Sequence, residues 1–173
     1  MEKSGASDSL LYPVIFFELQ GIHWAMGLEW IQEVLQTGGL GIVPNAHPVI
    51  AGLLNVRGDV LPVLKGGDIL MDRAPDRAAP GSHTGRAGDQ KRVVLIGANG
   101  LNMGLMVDSV LGIGSLDMGA ADRQGPREGE DTFPWKTDFV WKVAADNNGA
   151  PVPLLDVPRL VDYVTGISRH ATA

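Results

Sequence analysis

Hydrophobic positions along this chain fall into short runs with two different rhythms. Val14 to Leu19 is almost continuously apolar, which predicts a strand covered on both faces. After a Gln20-Gly21 turn, Ile22, Trp24, Met26 and Leu28 alternate with His23, Ala25 and Gly27, so the two segments form a β-hairpin with one apolar face. From Glu29 to Leu35 the spacing lengthens. Ile31, Val34 and Leu35 would share one side of a helix of about two turns, which Thr37-Gly38-Gly39 ends. Val43 to Pro48 is a proline-stiffened extended connection into Val49–Val56. Leu54 to Leu64 then runs apolar, turns at Asn55-Val56-Arg57-Gly58-Asp59, and runs apolar again: strand, tight corner, strand.

The pattern lapses from Lys65 to Arg92, where Asp72–Asp89 has almost nothing to bury and predicts a mobile loop. It resumes with Val93–Ile96, an Asn99-Gly100 turn, and alternating Leu101, Met103, Leu105 and Val107. A second polar loop spans Asp122–Glu130. Strands are expected over Asp138–Ala144 and Pro151–Leu155, joined by a turn at Asp146-Asn147-Asn148-Gly149. Asp156 is placed to cap a last helix carrying Leu160, Val161 and Val164.

Two segments echo two others. Gly21–Ile31 lies beside Gly100–Val110 with a turn glycine, an alternation in the same phase, and an acid and an aliphatic at matching offsets. Val60-Leu61-Pro62-Val63-Leu64 matches Pro151-Val152-Pro153-Leu154-Leu155 in the same way. Either amphipathic hairpins simply look alike, or the chain holds two related halves, each opening on a hairpin and closing on a strand. The second reading predicts two small β-barrels around a shared core.

Arg57 is the anomaly, the only basic residue between Lys3 and Lys65, set between two hydrophobic runs. Either its guanidinium meets water at the corner, or it pairs with a carboxylate inside, since a buried unpaired charge costs several kcal/mol. The upstream candidate is Glu33, flanked by Ile31, Val34 and Leu35.

Composition narrows the function. Hydrophobic residues at 45% can fill a core, while 23 Gly and 11 Pro favour many short elements over long helices. A net charge of −6 argues against a nucleic-acid groove, and the absence of Cys excludes disulfides and thiol chemistry and suits a reducing cytosol. No apolar run reaches the roughly 18 residues that span a bilayer, and no signal peptide is evident at the start. His23, His47, His83 and His170 show no metal-ligand spacing. Gly38-Gly39-Leu40-Gly41 lacks the Lys-Ser/Thr of a phosphate loop, and no Gly-x-Ser-x-Gly elbow occurs. Arg57-Gly58-Asp59 spells an adhesion tripeptide, but nothing else indicates a secreted protein. Glu33, Asp108 and Asp156 could form a carboxylate site only through folding, and capping or strand-end roles suit them better. Trp135 and Trp141 are either interface anchors or ordinary core. No catalytic, cofactor or metal site is expected.

In order, these motifs resemble the CheW-like coupling proteins of bacterial chemotaxis. The matching pieces are the Phe-rich first strand, Ile31-Gln32-Glu33-Val34, Val43-Pro44 before Ile50-Ala51-Gly52, and Asn55-Val56-Arg57-Gly58 with Val60-Leu61-Pro62-Val63. Gly104–Val110 and Leu154-Leu155-Asp156 follow. The resemblance implies a mainly β fold of two five-stranded SH3-like barrels around a shared core, with short helices. It divides the chain into a disordered lead (1–12), a domain over 13–165 and a tail (166–173). Within the domain, 13–68 would be the first barrel half, 69–91 a flexible loop, and 92–165 the second half with the C-terminal helix.

The function implied is that of a cytoplasmic, non-catalytic adaptor, associated with membrane receptor arrays only through its partners, which would join chemoreceptor tips to the regulatory domain of a CheA-type histidine kinase. A pilus or other non-flagellar array is one alternative, and a small β-barrel enzyme or ligand-binding protein is another. The resemblance places Ile31, Gly52, Gly58 and Val107 at or beneath the partner groove, with Glu33 and Arg57 as a structural ion pair. One departure is Lys65, where the family commonly carries an acid.

Overall fold

The computed structural model describes residues 10–72, 91–119, 133–146 and 148–170. Ten strands dominate: β1 (Leu11–Leu19), β2 (Ile22–Gly27), β3 (Ile31–Gln36), β4 (Ile50–Val56), β5 (Asp59–Lys65), β6 (Arg92–Ala98), β7 (Leu101–Val107), β8 (Ser109–Asp117), β9 (Val140–Ala145) and β10 (Pro151–Leu155). Helix α1 (Gly66–Leu70) follows β5 and α2 (Val157–His170) follows β10, while 3-10 turns at Leu28–Trp30 and Thr137–Phe139 precede β3 and β9. The fold is mainly β: two five-stranded sheets, ordered β8-β1-β2-β10-β9 and β3-β6-β7-β5-β4.

Replacing β1–β5 by β6–β10, and the reverse, converts the first order into the second. The sequence echo follows this relation residue by residue. Leu154 pairs in parallel with Ala25 in one sheet, and Val63 pairs in parallel with Gly104 in the other. Ala25 and Gly104 occupy the same place in the two echoed segments, and so do Leu154 and Val63. The junction at Gly104 needs a residue without a side chain: a Cβ there would sit 2.6 Å from Val93 Cγ1 and 3.0 Å from Val63 Cγ2. Each half of the chain therefore contributes to both sheets. Residues 13–68 supply β1 and β2 to one and β3–β5 to the other, so a boundary near residue 68 does not divide one sheet from the other.

Three apolar clusters follow from this arrangement. The largest joins Phe17, Trp24 and Met26 of one sheet to Leu64, Ile96 and Leu105 of the other, together with Leu160 and Val161 of α2. Smaller clusters lie against one sheet each, around Val14 and Leu154 and around Val63, Val93 and Leu95. The shared core is thus the face where the sheets meet, built from alternate residues of each strand.

Several expectations change. Glu29–Leu35 is not a helix of two turns: only Leu28–Trp30 is helical, and β3 begins at Ile31. Antiparallel pairing with β6, from Ile31↔Ile96 to Gln36↔Arg92, satisfies the backbone of these β-branched and polar residues, and a bulge at Gln32 shifts the register. Ser109–Asp117, for which no strand was expected, pairs along β1. The lead ends earlier than residue 12, because β1 starts at Leu11; residues 1–9 lie outside the described set. Ile69 and Leu70 belong to α1, and Met71 bridges to Trp135, so the loop cannot start at 69; its 73–90 portion is outside the described residues, as is 120–132. The helix expected before a tail at 166 continues to His170. Asp156 caps it, its Oδ1 accepting the Arg159 N–H at 3.0 Å.

Candidate functional site

The β4–β5 corner is a two-residue turn. Val56 pairs with Asp59, leaving Arg57 (φ 56°) and Gly58 (φ 101°) between the strands, both in the left-handed half of backbone space. Asn55 Oδ1 accepts the Gly58 N–H at 3.0 Å and holds the corner. The hairpins at Gln20-Gly21 and Asn99-Gly100 have the same sign pattern. Asn suits a left-handed position because its short side chain can bond locally. Arg does not, and the conformation costs about 1–2 kcal/mol for an ordinary L-residue.

Arg57 reaches back across the sheet. Its Nη2 lies 3.0 Å from Glu33 Oε2. Glu33 is on β3 and Arg57 at the end of β4, and these strands are the two opposite edges of their sheet. The sheet must curl to bring its edges this close. The connection leaving β3 also runs against β4, through the isolated bridge between Gly41 and Leu53, with N–H to O=C distances of 2.8 and 2.9 Å in the two directions.

The pair stands in water: the side chains are 82% exposed for Arg57 and 37% for Glu33. Of the two readings of the anomalous Arg, the buried strut is the wrong one. The guanidinium is exposed at the corner and paired, a geometry in which an ion pair contributes about 0–1 kcal/mol.

Around the pair is an open depression of ≈ 260 Å³. Val56, Leu61 and Leu95 give it an apolar floor, and Gln32, Glu33, Arg57, Asp59 and Asn102 form its polar rim. Gln32 Nε2 donates to Asn102 Oδ1 at 2.6 Å, tying β3 to β7. Arg57 and Glu33 are matched on the rim and Asp59 adds a second carboxylate, a surface arrangement that suits holding another molecule better than activating a nucleophile.

The other expected positions are distributed differently. Gly58 is exposed at the corner itself. Ile31 starts β3 and packs, half-buried, on the shared core. Gly52 is buried in β4 with φ +157°, and a Cβ there would lie 2.6 Å from Gly41 O and 2.9 Å from Leu40 Cβ. Its missing side chain admits the chain's own Leu40–Gly41 segment. Val107 is fully buried in the shared core, five residues along β7 from Asn102 and hence about 17 Å from that rim residue. The fold thus unites Glu33, Arg57 and Gly58, and leaves Gly52 and Val107 beneath the surface. Gln32, Asp59, Leu61, Leu95 and Asn102 join the depression without having been singled out. Only Asp59 had a local signal, its place beside the Arg-Gly turn.

The separate acids have separate tasks. Asp108 Oδ2 accepts the Gln20 N–H at 2.7 Å and its Oδ1 lies 3.5 Å from Lys91 Nζ, so it pins the β1–β2 turn, whereas Asp156 caps α2. Lys65 lies 3.8 Å from Asp68 of α1. Among the described residues, no group of three or more His, Cys, Asp or Glu could hold a metal, and no helix is long and apolar enough to cross a membrane. Trp135 is buried at 2% exposure whereas Trp141 is 49% exposed, so only the latter can meet a partner.

Two five-stranded sheets sharing one core, with a curled edge and a charged corner beside a shallow apolar floor, define a two-part β module of the kind that presents surfaces to other molecules. The chain belongs to the CheW-like domain family, whose profile matches residues 13–165. In fold it is similar to the scaffolding protein TtCheW from Thermoanaerobacter tengcongensis. That likeness has a TM-score of 0.68 at 18% identity and covers 84% of this chain and 89% of the other. A search of curated protein sequences returns no match.

Proposed function

We propose that the chain is a non-catalytic adaptor that couples chemoreceptor cytoplasmic tips to the regulatory domain of a CheA-type histidine kinase. Membership of the CheW-like family supports a coupling role. The observation that carries the reading is Arg57, held in a left-handed conformation at an exposed corner. The hairpin turn imposes this conformation, as it does at Gln20, so what sets Arg57 apart is a charged side chain exposed at the surface and aimed by Glu33. Arg57 and Gly58 would meet the partner directly. Ile31, Gly52 and Val107 would shape the sheet from behind, and the Glu33 carboxylate would aim the guanidinium.

A second circuit for the same adaptor is the alternative reading. Lys65, where the family commonly carries an acid, is paired within the chain to Asp68 and leaves the partner set open between flagellar chemotaxis and another array such as a type IV pilus, which gene neighbourhood would separate.

The test is a pull-down of the full chain with a receptor cytoplasmic tip and, separately, with a kinase regulatory domain. Both are expected to be retained by the parent, and receptor retention is expected to fall at least tenfold for Arg57→Ala. Retention of neither by the parent chain would end the proposal.

A further inference from the structure

A second depression, of ≈ 190 Å³, lies at the other sheet, where the start of β1, the turn before β3, β9 and the β10–α2 junction converge. Its walls include three aromatic rings and two carboxylates: Tyr12, Trp30 and Trp141, with Glu29 and Asp156. Tyr12 stands edge-on to Trp141, with centroids 5.6 Å apart at 75°. Its hydroxyl donates to Glu29 Oε1. Gly27 makes that contact possible, because any side chain there would collide with both the Tyr12 hydroxyl and the Glu29 carboxylate.

The charged residues lining this site are both acidic. Burial, followed by the hydrogen bond and then the negative charge of Glu29, pushes the Tyr12 hydroxyl well above its ordinary 10.0. Asp156 satisfies an amide of the first turn of α2, so the positive end of that helix is already occupied. Trp141 is half exposed, and the chain's own Lys142 Nζ rests 5.3 Å from its ring centroid, showing that the ring takes a cation.

We propose that this depression receives an arginine side chain of a partner protein, its guanidinium stacked on Trp141 and Trp30 and held by Glu29. Arginine fits better than lysine here, because a flat, weakly hydrated fork can stack on an indole and bond a carboxylate at once. The adaptor reading supplies the protein partner; the recognition chemistry stands without it.

The experiment titrates the ¹⁵N-labelled full chain with a blocked Gly-Arg-Gly tripeptide, with its citrulline counterpart of the same size and no charge, and with tetramethylammonium. The indole N–H signals of Trp30 and Trp141 should move saturably with the arginine peptide. Those of Trp24 and Trp135, buried in the shared core, should stay. The citrulline peptide should bind at least tenfold more weakly, and tetramethylammonium should bind more weakly than arginine. Trp141→Leu should abolish the response at Trp30, and Glu29→Gln should weaken it severalfold. Lys142→Gln, which removes the resident cation, should tighten binding by about two- to fivefold. Equal responses to arginine and citrulline, no saturable response in the parent, or tighter binding of tetramethylammonium would each overturn the proposal. None of these results touches the pull-downs that test the adaptor role, so the two can fail independently.

Discussion

Replacing Arg57 should separate stability from partner binding. Two terms set the folding effect. The ion pair to Glu33 at 3.0 Å is largely exposed and contributes about 0.2–1 kcal/mol. Opposing it, the left-handed backbone at φ 56° costs an ordinary residue about 1–2 kcal/mol. Arg57→Ala removes the pair and keeps the strain, so the loss should stay within about 1 kcal/mol. Arg57→Gly removes both the pair and the strain, but gives the unfolded chain more freedom, about 0.5–1 kcal/mol, and should come out near neutral. Arg57→Asn tolerates the turn and should match the parent or exceed it slightly. Urea unfolding at low and high salt would measure the series. A double-mutant cycle with Glu33→Ala should give a coupling of about 0.2–1 kcal/mol that shrinks as salt rises. All three variants should lose receptor binding, because none presents a guanidinium. A loss of more than about 2 kcal/mol in each variant would make Arg57 a structural strut after all, and undiminished binding by Arg57→Asn would refute its role at the interface.

Three further perturbations probe the surroundings. Gly52→Ala should destabilise by about 1–3 kcal/mol in urea unfolding, because its Cβ would displace Gly41 O from 2.6 Å; an unchanged midpoint would mean the Leu40–Gly41 segment yields freely. Asp108→Ala removes the acceptor of the Gln20 N–H at 2.7 Å and should cost about 1–2 kcal/mol, and faster amide exchange at Gln20 would localise the effect. Tyr12 bears on alkaline stability. Its raised pKa means that the unfolded chain releases this proton first, so the contribution is fully present below pH 10.0 and is lost as pH climbs beyond it. Tyr12→Phe should flatten the decline in urea midpoint above pH 10, and parallel declines in parent and variant would contradict the assignment.

Much of the fold was legible because local chemistry and tertiary pairing agree. Gln20-Gly21, Arg57-Gly58 and Asn99-Gly100 mark their hairpins, and Asp156 marks the start of α2. The misreadings share a cause. Ile31, Val34 and Leu35 fit a helix by spacing alone, and only pairing with β6, some sixty residues away, makes the segment a strand. Gly112 and Gly114 break the alternation of β8, which is defined by its ladder along β1. In the corner site, Glu33 and Arg57 could be read as partners, but not as partners in water, since exposure depends on how the sheet curls. Gln32 and Asn102 meet through a bulge that no periodicity reveals. The aromatic depression was less visible still, since Tyr12, Trp30 and Trp141 come from three distant segments and only the fold distinguishes exposed Trp141 from buried Trp135.

The interchange of strands between the two sheets reaches beyond architecture. Neither sheet can be finished from one half of the chain, so the decisive folding contacts join residues far apart in sequence, and assembly is governed by slow closure of large loops. For the same reason, a protease cut between Asp72 and Lys91 would leave two fragments clasped by their ladders, each lacking the strands only the other can provide.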